Sequence, residues 1–138
     1  MKNRFSQMLL LSGAIILIPA CNTKEDCKAG SGGSVTLKLY PEHHTKPIIG
    51  SAVYPDSAFI KFNTQNFPGD NPAAYDLVIK GDSASNMVTI KDLKCGDYYI
   101  YMAGWDSSIA TRVRGGIPYS IADGETGERN IKVPVTED

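Results

Sequence analysis

The chain has 138 residues, 42% of them hydrophobic, with 14 Lys and Arg against 15 Asp and Glu. That length suits one domain with one core. The near-balanced charge leaves no basic stripe, which argues against nucleic acid or an anionic membrane surface as an electrostatic partner.

The first segment carries Lys2 and Arg4, then an apolar run from Met8 to Pro19, then Ala20 and Cys21. A charged start, a short apolar core and a small residue at the end is the layout of a secretory signal. The run is too short for a permanent transmembrane helix, which takes ~20 residues. The domain organisation expected is therefore a signal peptide over 1–20, a flexible tether over 21–34 and a folded domain over 35–138. Without Lys2 and Arg4 the remaining chain holds 12 basic against 15 acidic residues, a net charge of −3.

Ile18-Pro19-Ala20-Cys21 resembles the lipobox of bacterial lipoproteins. That resemblance implies a diacylglycerol on the Cys21 thiol and cleavage just before it. Each buried methylene contributes ~0.8 kcal/mol, so several acyl chains of the palmitate type would anchor the protein almost irreversibly. The competing reading is a secreted protein cleaved near Ala20 with an incidental cysteine. Lys24-Glu25-Asp26 resembles the surface-export signal of Bacteroidetes-type lipoproteins, against a plain solvated tether as the alternative. Asn22 is not the Asp that retains lipoproteins at the inner membrane, so the outer membrane is expected, facing the cell surface if the export signal operates.

With Cys21 assigned to lipid, Cys27 and Cys95 remain as an even pair in an oxidising compartment. Bonded, they would close a long loop and stabilise the fold by about 4 kcal/mol. The alternative is a free Cys27 beside a buried Cys95. Residues 22–34, ending in Gly30-Ser31-Gly32-Gly33-Ser34, have no apolar face to bury and predict a flexible tether.

From Val35 onward short β runs alternate with Gly, Pro, Asn and Asp. Val35, Leu37 and Leu39 alternate with Thr36, Lys38 and Tyr40, and Ala58, Ile60 and Phe62 with Phe59, Lys61 and Asn63. Further strands are expected over 75–80, 87–90, 98–105, 111–117 and 130–135. No stretch carries apolar residues at helical spacing over three turns. Seven short strands in about 100 residues predict an all-β sandwich of the immunoglobulin-like kind.

Leu93-Lys94-Cys95-Gly96-Asp97-Tyr98 fits the form of a tyrosine corner. There Gly96 allows a sharp bend, Leu93 plugs the core and the Tyr98 hydroxyl bonds back to nearby backbone. Its role is structural, and loss of the hydroxyl should cost about 1 kcal/mol. The corner, the strand Tyr99-Ile100-Tyr101 and Gly104-Trp105-Asp106 resemble the prealbumin-like modules related to the carboxypeptidase regulatory domain. Those are small sandwiches that serve as accessory or spacer domains. Together with the lipobox and Val133-Pro134-Val135-Thr136-Glu137, nearly the whole chain is similar to small lipoproteins of Bacteroidetes type. The resemblance implies a fold and no particular activity, and such modules usually sit beside a larger domain.

Few residues offer chemistry. Both histidines stand in Glu42-His43-His44, and imidazoles with a carboxylate are zinc-type ligands. Adjacent residues on an extended chain point to opposite sides, however, so a solvated turn is expected unless the loop kinks. Gly81-Asp82-Ser83 resembles the start of a lipase block, but no histidine follows His44, and a turn is expected. Gly115-Gly116 precedes no helix and so is not a phosphate cradle; with Ile117-Pro118 it is expected to let the chain cross between sheets. Asp56, Asp70, Asp82, Asp106 and Asp123 are scattered without the spacing of a calcium loop. No cofactor is therefore expected.

The aromatic residues are the stronger lead. Tyr99, Tyr101 and Trp105 share one face of a strand whose other face carries Tyr98, Ile100 and Met102. One face must be core, and the other is either a contact surface for a glycan or protein, or buried as well. The connection from Thr64 to Ala74 is a second candidate contact segment. These residues predict a non-enzymatic interaction or accessory module, alternatively a carbohydrate-binding module, and more remotely a metal-dependent hydrolase at His43 and His44. The expected partners are membrane lipid through Cys21 and an outer-membrane protein or glycan.

Overall fold

A computed structural model describes residues 27–137. The signal segment, Cys21 and the Lys24-Glu25-Asp26 stretch lie outside the described residues. Eight strands run in chain order: β1 (Ser31–His43), β2 (Lys46–Pro47), β3 (Ser57–Phe62), β4 (Leu77–Lys80), β5 (Val88–Leu93), β6 (Gly96–Asp106), β7 (Thr111–Ile121) and β8 (Gly127–Glu137). A 3-10 turn, Pro72–Ala74, precedes β4 and is capped by the Asn71 side chain. The architecture is all-β, a curled mixed sheet folded into a sandwich. All seven expected strands are present, and the two-residue β2 is an addition.

Hydrogen bonding runs in the order β2-β1-β8-β7-β6-β3-β4, with β5 off this path and paired to the edge of β1 that also takes β2, away from β8. β1 and β8 are parallel from Val35↔Gly127 to His43↔Val135, and the other pairs are antiparallel. β8 belongs to both halves of the sandwich. It follows β1 up to Val135, then joins β7 through Thr136↔Arg114 and Glu137↔Val113.

The period of two along each strand decides what is buried. Val35, Leu37 and Leu39 of β1, Val88, Ile90 and Leu93 of β5, and Val133 and Val135 of β8 line one side of the core. Ala58 and Ile60 of β3, Tyr98, Ile100 and Met102 of β6, and Val113 of β7 line the other. Each of these side chains is almost wholly withdrawn from water, the main favourable term for a domain of this size.

Two expectations are corrected. Part of the predicted tether is strand: β1 begins at Ser31, and Ala29 is already buried. The glycines that looked like linker residues are packing residues. A side chain on Gly33 would run into the Leu93 carbonyl, and the register of β1 on β5 skips from Ser31 to Val35, both opposite Leu93. Gly30-Ser31-Gly32-Gly33 thus forms an irregular bulge pressed onto β5. The second correction concerns Gly115-Gly116-Ile117-Pro118, which stays inside β7, paired with β6 throughout. The strand that passes between sheets is β8. Gly115 has no side chain because the Pro134 carbonyl of β8 occupies that space, and Gly116 lies likewise against the Ile100 carbonyl.

The corner is assembled from both ends of a 68-residue interval. Cys27 and Cys95 are disulfide-bonded, and Gly96 has φ +133°, with the Ala29 backbone where a Cβ would stand. The Tyr98 hydroxyl donates to the Lys94 carbonyl at 2.6 Å and accepts from the Gly30 N–H at 3.1 Å. Lys94 N–H in turn donates to the Gly30 carbonyl at 2.9 Å. Tyr98 is fully buried, so removing its hydroxyl strands a backbone N–H as well as a carbonyl. Tyr98→Phe should therefore cost roughly 1–3 kcal/mol, more than a single lost hydrogen bond. Urea unfolding of the oxidised protein measures this, and a loss below ~0.5 kcal/mol would show that the corner does not depend on the hydroxyl.

Candidate functional site

The outer face of β6 carries Tyr99, Tyr101 and Trp105, as the alternation requires, but they do not form one open platform. The segment between β3 and β4 folds back over part of it. Phe67 packs on Tyr99 and Tyr101 with ring centroids 5.6 and 5.4 Å apart, and Tyr75 lies on Tyr101 at 5.8 Å and Phe59 at 5.6 Å. Polar ties hold the segment down. Tyr101 donates to Asp70 at 3.0 Å, Asp70 pairs with Arg114 at 2.9 Å, and Tyr75 donates to the Gly69 carbonyl at 2.9 Å. Tyr101 is consequently 5% exposed, which removes it from the candidate contact surface. Burial, reinforced by the hydrogen bond to Asp70, pushes its phenol up to about 12. Tyr99 is half-buried under Phe67.

Trp105 lies beyond this cover, at the far end of β6. Its indole stacks on Tyr54, with centroids 4.7 Å apart and planes 17° from parallel. Tyr54 comes from the connection between β2 and β3, where a tight turn holds it: Ser51 N–H donates to the Tyr54 carbonyl, and Tyr54 N–H to the Ser51 hydroxyl, both at 3.0 Å. The two rings border a shallow depression of about 260 Å³ that also includes Phe59, Ser57, Lys80 and Arg112. Arg112 is cross-strand from Trp105 on β7. Trp105 is half-buried and Tyr54 48% exposed, so the tyrosine is the outer layer of the stack. Val53 and Ile49 in the same connection are 76% and 63% exposed.

Behind the depression sits Asp56, 1% exposed, with neither carboxyl oxygen hydrogen-bonded. Gly104 lacks a side chain where Asp56 Oδ1 stands. Desolvation raises the Asp56 carboxyl to about 6. The nearby Gly50 N–H, which donates to the Ser85 carbonyl at 2.9 Å, opposes this in part.

The second cluster occupies the end of the sandwich where β1, β6 and β8 terminate. His43 was expected in a solvated turn. It is instead the last residue of β1 and 4% exposed, because β8 runs alongside it and Val135 is its cross-strand neighbour. Its Nδ1 lies 2.8 Å from Asp106 Oδ2. Asp106 is itself fixed, since its Oδ1 accepts from the Ser108 N–H at 2.8 Å and hydroxyl at 2.6 Å. Those Ser108 bonds, with His43 second, pull the Asp106 carboxyl down to about 2, and the Asp106 contact raises His43 above the usual imidazole range. His43 Nε2 lies 3.1 Å from Glu137 Oε2, and His44 Nε2 3.8 Å from Glu137 Oε1. Glu42, the expected carboxylate companion, instead pairs with Lys132 at 2.9 Å.

Gly81-Asp82-Ser83 opens a turn in which Ser85 N–H donates to the Asp82 carbonyl. Leu93 and Tyr98 are core residues. Sequence reasoning missed Tyr54, Asp56 and Glu137. Tyr54 stands in an unpatterned connection, and the two acids are brought into place only by pairing between distant strands. Comparison with family models, curated proteins and solved structures gives no match.

Asp56 makes stability depend on pH. Its folded-state value of about 6 exceeds the ~3.9 of an unfolded chain, so the native state binds the extra proton between these values. Stability from this group is full below pH ~4 and falls as pH rises through 6, by roughly 3 kcal/mol in all. The difference between wild type and Asp56→Asn, followed by denaturant unfolding from pH 4 to 7.5, isolates the effect. A difference that does not vary with pH would mean Asp56 is ionised and solvated in the native state.

Proposed function

We propose that this chain is a bacterial lipoprotein of Bacteroidetes type, held at the outer membrane by acyl chains on Cys21. Its prealbumin-like head acts as a non-enzymatic binding module. The lipobox-like Ile18-Pro19-Ala20-Cys21 supports the anchoring. The observation that carries the binding role is the Tyr54–Trp105 stack at the edge of the 260 Å³ depression.

That arrangement favours a glycan. A sugar ring has an apolar C–H face, which packs on an exposed aromatic ring, and a rim of hydroxyls that needs polar partners. Tyr54 supplies the ring and Trp105 holds it rigid from behind, while Ser57, Lys80 and Arg112 line the same depression. The two cations favour sugars bearing carboxylate or sulfate groups. A depression of this volume takes one or two sugar units, so affinity would be modest for one site and would gain from repeated presentation on a membrane.

A second reading has its own support. Val53 and Ile49 stand exposed beside the stack, and Tyr, Trp and Arg are the residue types enriched at protein interfaces. A protein partner in an outer-membrane assembly would cover all of them.

Calorimetric titration of the full lipoprotein in detergent with neutral and uronic-acid oligosaccharides tests the first reading. Binding to the acidic series is expected, weakened at least about tenfold (~1.4 kcal/mol) by Tyr54→Ala or Trp105→Ala. No binding to either series, or binding that survives both substitutions, would reject the glycan. Cross-linking in native membranes then tests the protein partner, with Val53→Asp expected to abolish capture of a specific outer-membrane protein.

A further inference from the structure

Among the described residues, two groups of His, Cys, Asp and Glu converge closely enough to share an ion. One includes Cys27 and Cys95, whose sulfurs are bonded to each other and offer no thiolates. The other is His43, His44 and Glu137, whose donor atoms all lie within 4.8 Å of one another. We propose that these three residues bind a divalent transition-metal ion of the zinc type, with Asp106 as a positioning residue and one coordination place left open. The site is separate from the glycan groove and does not depend on it.

Four observations point there. The donor set is two imidazoles and one carboxylate, a combination that holds Zn²⁺ with a fourth position free. His43 Nε2 is buried, has no hydrogen bond of acceptable geometry, and lies 3.1 Å from Glu137 Oε2. A buried imidazole nitrogen left without a hydrogen bond is uncommon and calls for a partner. The opposite ring nitrogen faces a fixed carboxylate, Asp106, at 2.8 Å. That is the carboxylate–histidine–metal arrangement, in which the outer carboxylate fixes the tautomer and aims the other nitrogen at the ion.

The last observation answers the objection that neighbouring residues on a strand diverge. His43 and Lys46 pair across a two-residue turn, with His44 at φ +48° and Thr45 at φ +67°. Positive φ at both central positions is the type I′ hairpin, normally built from Asn-Gly. Here it folds the His44 ring back to 4.2 Å from that of His43, so both imidazoles reach the same carboxylate. Bonds of 2.0–2.1 Å in a tetrahedron place donors about 3.3 Å apart, so capture requires movements of roughly 1 Å. His44 and Glu137 are 75% and 47% exposed and free to make them, while buried His43 stays fixed.

The test uses the full chain without an added histidine tag, stripped with chelator and titrated with Co²⁺ as the spectroscopic probe. Visible d–d bands of a tetrahedral or five-coordinate ion should saturate at one equivalent and be bleached by Zn²⁺. His44→Ala and Glu137→Gln, both at exposed positions, should abolish the bands or weaken binding at least about tenfold. Asp106→Asn should retain the stoichiometry with about 10–100-fold lower affinity, as expected for an outer carboxylate. Absence of the bands, or bands that persist unchanged in both His44→Ala and Glu137→Gln, would overturn the proposal.

Discussion

The structure depends above all on β8 being shared. Up to Val135 its backbone is committed to β1 in a parallel ladder, and from Thr136 it is committed to β7. That one change of partner joins the two halves of the sandwich at one end and withdraws part of each sheet edge from solvent. It also dictates composition elsewhere. Gly115 must be glycine because the Pro134 carbonyl presses on β7 where the change occurs. The same geometry carries the end of β8 across the end of β1, placing Glu137 against His43 although they are 94 positions apart in the chain. At the opposite end, the Cys27–Cys95 bond and the Tyr98 hydroxyl perform the analogous task, tying the entry of β1 to the corner before β6.

Between these ends the outer face of β6 is divided. Its middle is covered by residues 64–75, held by ring packing and by the Tyr101–Asp70–Arg114 chain of polar contacts. Its far end, at Trp105, is stacked under Tyr54. The same strand is thus packed under a connection in one half and carries an aromatic stack in the other. Glycine at 104 connects this surface to the interior, since the space it leaves admits the unpaired carboxyl of Asp56. A buried, unsatisfied acid costs stability, and retaining one beneath a groove is the pattern expected where local strain serves a site.

Much of the fold was legible in the sequence because it follows from alternation. Each of the seven runs with apolar residues at every second position is a strand, and the Leu93–Tyr98 motif is a corner with its hydroxyl bonded to Lys94. The errors have a common cause. Glycine is consistent both with flexibility and with close backbone approach, and only the neighbour decides which. Gly33 reads as a linker residue in the sequence but is pinned on Leu93; Gly115 and Gly116 read as a crossing but lie inside a paired strand. The candidate sites were less legible. Trp105 could be placed on an outward face by parity, but the covering of Tyr101 by Phe67 and Tyr75 depends on a connection with no periodic pattern. Glu137 carried no signal at all, because its role comes from strand pairing rather than spacing.

The turn after β1 shows where local preference and tertiary demand part. Asn-Gly would adopt positive φ at both positions with little strain, whereas left-handed backbone costs an ordinary residue about 1–2 kcal/mol. Thr45, being β-branched, is among the poorest choices there. Relaxing the turn to a longer loop would remove the strain but carry the His44 ring away from Glu137, leaving His43 as the only imidazole beside that carboxylate. An isolated hairpin of this sequence would have no reason to hold His44 and Thr45 as they are. What holds them is the end of the sandwich itself: β8 fixes the carboxylate, Asp106 fixes His43, and the two-residue β2 returns the chain to Ile48, whose N–H bonds to the Pro41 carbonyl at 3.0 Å. The strain is therefore local while its compensation is spread over three strands.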